Sequence, residues 1–376
     1  MINEWLRGGK SKVELSEAYG VSRKTVYKWL ARFEQDGRAG LADQNQAPHS
    51  SPQAIDEKTA AEIIAERQKY PTYGARKIRL RLQRSQPQRR WPAASSIGEL
   101  LKREGLVHPR QKRRKTPPYS QPLAHATAPN QVWSVDFKGW FHCGDGERCD
   151  PLTVSDAFSR YLLRCRATDK SDGVHVRAVM EAVFREYGLP EAIRTDNGAP
   201  FASRAPGGLS RLSMWWLRLG IRQERIEPGR PQQNGRHERL HRTLKQETAQ
   251  PPAANRRKQQ EAFVRFEQSY NHERPHEALE GKTPADLYTG SANKYPARLP
   301  ELEYPAGVHL RRISQQGSLK WKMERTFLSE VLARETVGLL ETEEEFFEVY
   351  YGPLLIGWLD GRSHVFEPER PRPRRR

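Results

Sequence analysis

Three acidic residues stand where a phosphoryl-transfer enzyme needs them. Asp136 lies inside a strand-like run, Asp196 ends another, and Glu238 opens a basic helix. One strand-end carboxylate says little, because such groups often cap turns or pair with lysines. The joint pattern says more: W-x-x-D at 133–136, T-D-N-G-x-x-F at 195–201 and P-Q-x-N-G-x-x-E-R at 231–239, in that order. Carboxylates gathered within a few ångströms cannot all stay ionised without a compensating cation. Hard oxygen ligands open to water favour Mg²⁺, with Mn²⁺ as substitute. Two such ions would activate an attacking oxygen and stabilise the leaving 3′-oxygen of an in-line displacement at phosphorus. Asp136 would be the shared ligand, with Asp196 and Glu238 each completing one ion's shell. Water as nucleophile gives a nick, and a 3′-hydroxyl gives strand transfer.

Neighbouring residues fit supporting roles. Asn197 and Gly198 would shape the turn that aims Asp196, and Gly229, Gln232, Gln233, Asn234 and Gly235 would form a mobile loop. Arg242 and Lys245 follow Glu238 by four and seven residues, on one helical face. There they would hold a phosphate backbone, although a solvated basic face has the same pattern. Asp156 is the rival to the three carboxylates, while Asp150 and Asp169 read as turn or edge residues.

The elements that must position these groups follow from periodicity. In QVWSVDFKGWF, Val132, Ser134 and Asp136 alternate with Trp133, Val135 and Phe137, as in a half-buried strand. Two further strand-like runs surround a turn at 156–159. A helix is expected over 174–187, with Val176, Val179, Val183 and Tyr187 near one face. Then come a short strand at EAIRTDNGAPF, a helical patch with Trp215, Trp216 and Leu219, the strand IRQERIEP, and a long basic helix from about residue 235. Antiparallel strands followed by alternating helices and strands predict an α/β sheet of the ribonuclease H type, here spanning 129–290.

Ahead of it, residues 12–19 form one short helical pattern, Gly20 breaks it, and Ser22 is placed to cap a second helix. SEAYGVSRKTVYKWLARF resembles a DNA-binding helix-turn-helix, set within 1–46. Ser22, Arg23, Lys24, Thr25 and Lys28 would then face the groove. Residues 57–110 read as a second helical domain, a helix-turn-helix or a plain bridging bundle, with Ser95 and Ser96 near the cap of its last helix. Residues 111–128 are a basic, proline-rich linker. Between 300 and 367, the runs GVHLRRIS, SLKWKM, TVGLLE, FFEVYY and LLIGWLD predict a small β-barrel, and 368–376 is a basic tail. The expected fold is thus multidomain α+β.

Composition names the partner class. The chain carries 64 Lys+Arg against 46 Asp+Glu, a formal charge of +18, with pI about 9.9 and mean hydropathy −0.87. Such a surplus favours a polyanion, because each neutralised phosphate releases condensed counterions. No apolar run approaches the roughly 20 residues of a spanning helix, and no signal-peptide core opens the chain. That leaves nucleic acid over a membrane, in the cytoplasm. Cys143, Cys149 and Cys165 are too few for a disulfide framework. His142, Cys143 and Cys149 match no common zinc spacing.

The three motifs, with YNHERPHEALEGKTPADLY at 270–288, resemble the DDE transposases of bacterial insertion sequences and, more distantly, retroviral integrases. The resemblance covers most of the chain. It implies an integrase-like core at 129–290 and a Src-homology-3-like C-terminal barrel. It also implies a Mg²⁺- or Mn²⁺-dependent transposase that nicks and joins double-stranded DNA at element ends and target. A homo-oligomer on DNA, in the bacterial cytoplasm with the nucleoid, goes with it. The chain departs in having helix-turn-helices where integrases carry a zinc module. Asp196 and Glu238 are also further apart than is usual, an excess that reads as a surface insertion near SRAPGGLSR. Two alternatives are a catalytically silent DNA-binding regulator derived from a transposase and a ribonuclease H-like nuclease without strand transfer.

Overall fold

The computed structural model describes residues 1–43, 54–107, 126–225 and 235–369. The expected linker at 111–128 and tail at 368–376 fall mostly outside them, as does all of the 229–235 loop except Gly235. Residues Met1–Asp56 and Glu57–Arg376 form two compact units.

In the first unit, α1 (Ile2–Leu6) precedes α2 (Lys12–Ala18) and α3 (Arg23–Asp36). Ser11 and Glu14 form a capping box on α2, and the Ser22 hydroxyl accepts the Thr25 N–H at 3.2 Å, as expected of a cap. Gly20 takes a positive φ of 58° in the turn between them. Leu15, Val26 and Leu30 are the buried core, with Met1, Ile2, Trp5 and Val21 against it. The helix α1 is too short to carry a periodic signal in the sequence.

The second unit opens with α4 (Glu57–Lys69), α5 (Ala75–Ser85) and α6 (Ala94–Arg103), which bury Ile63, Ile78, Leu82, Ile97, Leu100 and Leu101. The cap of α6 is Ala93, without a side-chain hydrogen bond, so Ser95 and Ser96 sit inside the first turn. Polar contacts dock this bundle on residues 247–286 of the same unit. Arg84 makes two hydrogen bonds to Asp286, Arg81 donates to the Glu273 carbonyl, and Thr72 donates to Glu247.

The sheet that carries the site contains β1 (Val132–Phe137), β2 (Phe141–His142), β3 (Arg148–Asp156), β4 (Leu162–Thr168), β5 (Ala192–Thr195) and β6 (Arg222–Arg225). Its order is β4-β3-β1-β5-β6, with β2 along the start of β3. The first three are antiparallel, whereas β1, β5 and β6 run parallel. This is the mixed sheet of the expected core. Trp133, Val135, Leu152, Val154 and Ile193 face α7 (Gly173–Tyr187) and α8 (Arg211–Arg218) in one core cluster. On the opposite face, α9 (Gly235–Thr248) and α10 (Arg256–Gln268) bury Leu240, Leu244, Phe263 and Phe266 with Cys149 and Cys165. Strand alternation therefore sends Ser134, Asp136 and Thr153 towards α9.

The free edge of β4 is covered by amide and carboxyl side chains. Gln260 accepts from Ala167 N–H and donates to the Cys165 carbonyl, Asn271 does the same for both backbone groups of Leu162, and Glu267 accepts from Cys165 N–H. A sheet edge is thereby closed to further pairing. The 270–288 segment packs back on the core: the Tyr288 ring stacks on Tyr161 at 4.4 Å and its hydroxyl donates to Asn130.

At the C-terminus, β7 (His309–Arg312), β10 (Thr336–Glu343), β11 (Phe346–Tyr351), β12 (Leu354–Asp360) and β13 (Val365–Glu367) make an antiparallel sheet in the order β13-β12-β11-β10-β7. β8 (Ser318–Trp321) and β9 (Glu324–Phe327) form a separate hairpin. Among the described residues the sheet path stays open, so the expected barrel is not closed by hydrogen bonds. The expected surface insertion at 203–211 needs correcting. Leu209 is fully buried with Met214 in the core of this C-terminal sheet, and Gly207 lies against Ile356 and Leu354.

Candidate functional site

The register of the parallel strands points two of the carboxylates to the same end of the sheet. Val132 pairs with Ala192 and Ser134 with Arg194. Carried two residues on, the same offset sets Asp136 beside Asp196, at the C-terminal ends of neighbouring strands where open α/β sheets hold their ligands. Asp136 is half-buried, and Asp196 is exposed just beyond β5. The Asp196 carboxylate accepts the Gly198 N–H at 3.2 Å, and a Cβ at Gly198 would stand 3.1 Å from that carboxylate. Gly198 thus admits the fold-back of Asp196, the turn role expected of it.

Glu238 lies in the first turn of α9, on the exposed side. The residues that α9 turns towards Asp136 are its neighbours His237 and His241, both buried. Their Nε2 atoms converge on the Thr153 hydroxyl, at 2.6 and 2.7 Å, and that hydroxyl lies 3.1 Å from the Asp136 carbonyl, to which it donates. One potential ligand atom each from Asp136, His237 and His241 lie within 4.8 Å of one another. That grouping includes neither Asp196 nor Glu238. Burial pushes the His237 imidazole down to about 4; His241 falls to about 2, through burial and then through the charges of His237 and Lys138. Both rings are therefore neutral at physiological pH. Lys138, half-buried, is held below the ordinary lysine range by burial and by Lys245, against the pull of Asp136.

Sequence reading passed over these histidines because the carboxylate pattern absorbed Glu238. The signal was present: residues 237–241 read His-Glu-Arg-Leu-His. That spacing puts both imidazoles on one helical face with the glutamate beside them.

Asp156, the rival carboxylate, is built into a turn. Its two oxygens accept from Asn130 N–H and from the N–H and hydroxyl of Ser159, at 2.6–2.7 Å. Asp150 is buried against Arg148, and Asp169 pairs with His175 and Arg256. The three cysteines are free and buried.

A cleft of about 1360 Å³ opens between α5 and α9, more than the roughly 300–1,000 Å³ of a small-molecule pocket. Seven cations line it, Arg76, Lys77, Arg160, Arg236, Arg239, Arg242 and Arg274, against the acids Asp156 and Glu277. His237, Ser134 and Ser155 form part of the same wall. Arg242 and Lys245 are both exposed on α9; Arg242 faces this cleft, and Lys245 borders a smaller hollow with Lys138 and Trp140. In the first unit, Arg23, Lys24 and Lys28 are exposed and Thr25 is half-buried, turned away from the Val26–Leu30 core side of α3. Among the described residues no helix is long and apolar enough to cross a membrane.

The match to known proteins follows this layout. Residues 126–231 and 219–284 match two integrase core domain families, and residues 1–42 and 25–101 match homeodomain-like domains. The chain is 31% identical over 193 residues to the insertion element IS407 uncharacterized 31.7 kDa protein of Burkholderia multivorans, covering 51% of this chain and 67% of that protein. It is 26% identical over 230 residues to the insertion element IS476 uncharacterized 39.2 kDa protein of Xanthomonas euvesicatoria, covering 61% and 64%. It thus spans about two thirds of the length of these relatives. The solved HTLV-2 integrase catalytic core domain in complex with magnesium is similar at 16% identity, over 43% of this chain and 98% of that one, with TM-score 0.34. With an integrase core behind homeodomain-like helical domains, the chain belongs to the integrase-core family of insertion-element proteins.

Proposed function

We propose that the chain is a transposase that binds the ends of its element and carries out metal-dependent nicking and strand transfer of double-stranded DNA, working as a homo-oligomer in the bacterial cytoplasm. The observation that supports this reading is the parallel pairing of β1 and β5, whose offset, continued two residues past the last pair, would set Asp136 beside Asp196, with Glu238 in the first turn of α9. The donor set fits a hard divalent cation, since all three groups are carboxylates and two are exposed to water. Asp136, Asp196 and Glu238 would hold two Mg²⁺ or Mn²⁺ ions. Bound there, such ions supply activation of the attacking oxygen and charge stabilisation at the leaving oxygen.

The chain's own residues do the rest. Thr153 anchors the Asp136 backbone, and Gly198 fixes the Asp196 carboxylate. Arg239 and Arg242 draw a phosphate backbone along α9, and Lys245 extends that line. Arg23, Lys24, Thr25 and Lys28 read base edges from α3, as the exposed face of a recognition helix does.

The test is nicking and joining of end-bearing duplex by wild type, Asp136→Asn, Asp196→Asn and Glu238→Gln. Each substitution removes a ligand charge at nearly constant shape, so each should abolish both steps while duplex binding persists. A variant that still cleaves removes its residue from the site. A wild type that binds ends but never nicks them would leave a DNA-binding regulator instead.

A further inference from the structure

We propose that Asp136, His237 and His241 form a three-ligand site for a zinc-class divalent ion, a site that shares Asp136 with the carboxylate set. The donor chemistry differs from that set. Two imidazoles and one carboxylate select zinc, cobalt or nickel over magnesium, which takes oxygen ligands. Three protein ligands leave a fourth position open. One of the three, His237, lines the basic cleft.

The geometry is close to a coordination shell. Both Nε2 atoms already point at one place, marked by the Thr153 hydroxyl at 2.6 and 2.7 Å. The three ligand atoms fall within 4.8 Å of one another. Ligand atoms around a tetrahedral zinc ion, at bonds of roughly 2.0–2.2 Å, stand about 3.4 Å apart. A contraction of up to about 1.4 Å therefore closes the shell, with the Thr153 side chain giving way. An outer partner is also in place: the Ser155 hydroxyl lies 3.4 Å from His237 Nδ1, leaving Nε2 for the ion.

The consequence rests on the reading of Asp136 as a catalytic ligand, but the binding claim does not. A zinc-class ion held by the histidines occupies one oxygen of Asp136, so that zinc competes with magnesium for this carboxylate.

The test is titration of the untagged full chain with Co²⁺, read by visible absorption. Four-coordinate Co²⁺ with nitrogen ligands gives intense bands, whereas six-coordinate oxygen shells give faint ones. One equivalent should bring up the intense bands, Zn²⁺ should bleach them, and excess Mg²⁺ should not. Losing a mere outer partner of a bound metal costs about 10–100-fold in affinity. Loss of a ligand in Asp136→Asn, His237→Asn or His241→Asn should therefore weaken Co²⁺ by more than about a hundredfold. Asp196→Asn and Glu238→Gln should keep the bands. Asp136→Asn, nearly isosteric and half-exposed, keeps the test decisive if a histidine variant fails to fold. Faint bands in wild type, or intense bands surviving in Asp136→Asn, overturn the proposal. Bands lost only in Asp196→Asn and Glu238→Gln overturn it too, by placing the ion among the carboxylates. None of these outcomes bears on whether Mg²⁺ supports nicking, so the two readings fail separately.

Discussion

Removing cations from α9 should change how duplex affinity depends on salt, by an amount the cleft sets. Of the seven cations lining it, two are already paired: Arg274, its side chain 7% exposed, holds Glu247 at 2.6 Å, and Arg76 lies 3.4 Å from Glu277. Five remain. If each meets one phosphate, the cleft alone contributes a slope of about −4.5 in log K against log salt, at roughly −0.9 per contact. Each lost contact should lower the slope by about one and weaken binding about eightfold at ~0.1 M salt. Arg239→Ala, Arg242→Ala and Lys245→Ala are the perturbations, because these side chains are exposed on the helix that carries Glu238. Fluorescence anisotropy of a labelled duplex across a salt series measures the slope. Arg185→Ala is the control, an exposed cation already paired with Glu181 on α7. The reasoning fails if the α9 variants keep the wild-type slope, or if Arg185→Ala lowers it equally. In the first case the basic face of α9 is only solvated.

Two other outcomes concern stability. Leu209→Ala should cost about 2–5 kcal/mol, since it empties a fully buried site between the C-terminal sheet and α8; a thermal melt checks it, and a loss under about 1 kcal/mol would mean that the seam is loosely packed. Burial raises the Glu267 carboxyl to about 7. A raised carboxyl favours the fold most below its unfolded value near 4.5, and that contribution disappears as pH rises through about 7. The ceiling is about 3 kcal/mol. Glu267→Gln keeps an acceptor for Cys165 N–H, so it should flatten the loss between about pH 5 and pH 8 in denaturant titrations; an unchanged pH dependence refutes the assignment.

Much of this was legible in the chain. Ser22 capped where its type and position said it would, and the described part of 57–110 holds three helices, as a helical domain there was expected to. Alternation in β1 gave the face of Asp136, because one side of that strand is wholly apolar. Short elements were not legible. α1 spans five residues, β13 three, and β9 is Glu-Arg-Thr-Phe, a run whose polarity hides a strand that packs by one side chain, Thr326. The closure of the C-terminal strands was overread, since alternating runs specify strands but not which edges meet. Two features of the site were invisible for a different reason. The side-by-side placing of β1 and β5 depends on a register fixed only when β5 docks, and the approach of the histidines depends on how α9 rolls on the sheet.

The stretch between Asp196 and Glu238 holds Leu209 inside the C-terminal sheet, and this changes what sequence spacing means in this protein. The number of residues separating the second and third carboxylates is a dimension of a joint, set by the distance to a neighbouring module. Removing residues 203–210 would take Leu209 out of the core of that module while keeping α8, β6 and the two carboxylates in the chain. The C-terminal sheet and residues 203–214 should therefore be exchanged between relatives as one inherited part, and a search that aligns only the acidic residues would score as an insertion what is half of a hinge plate.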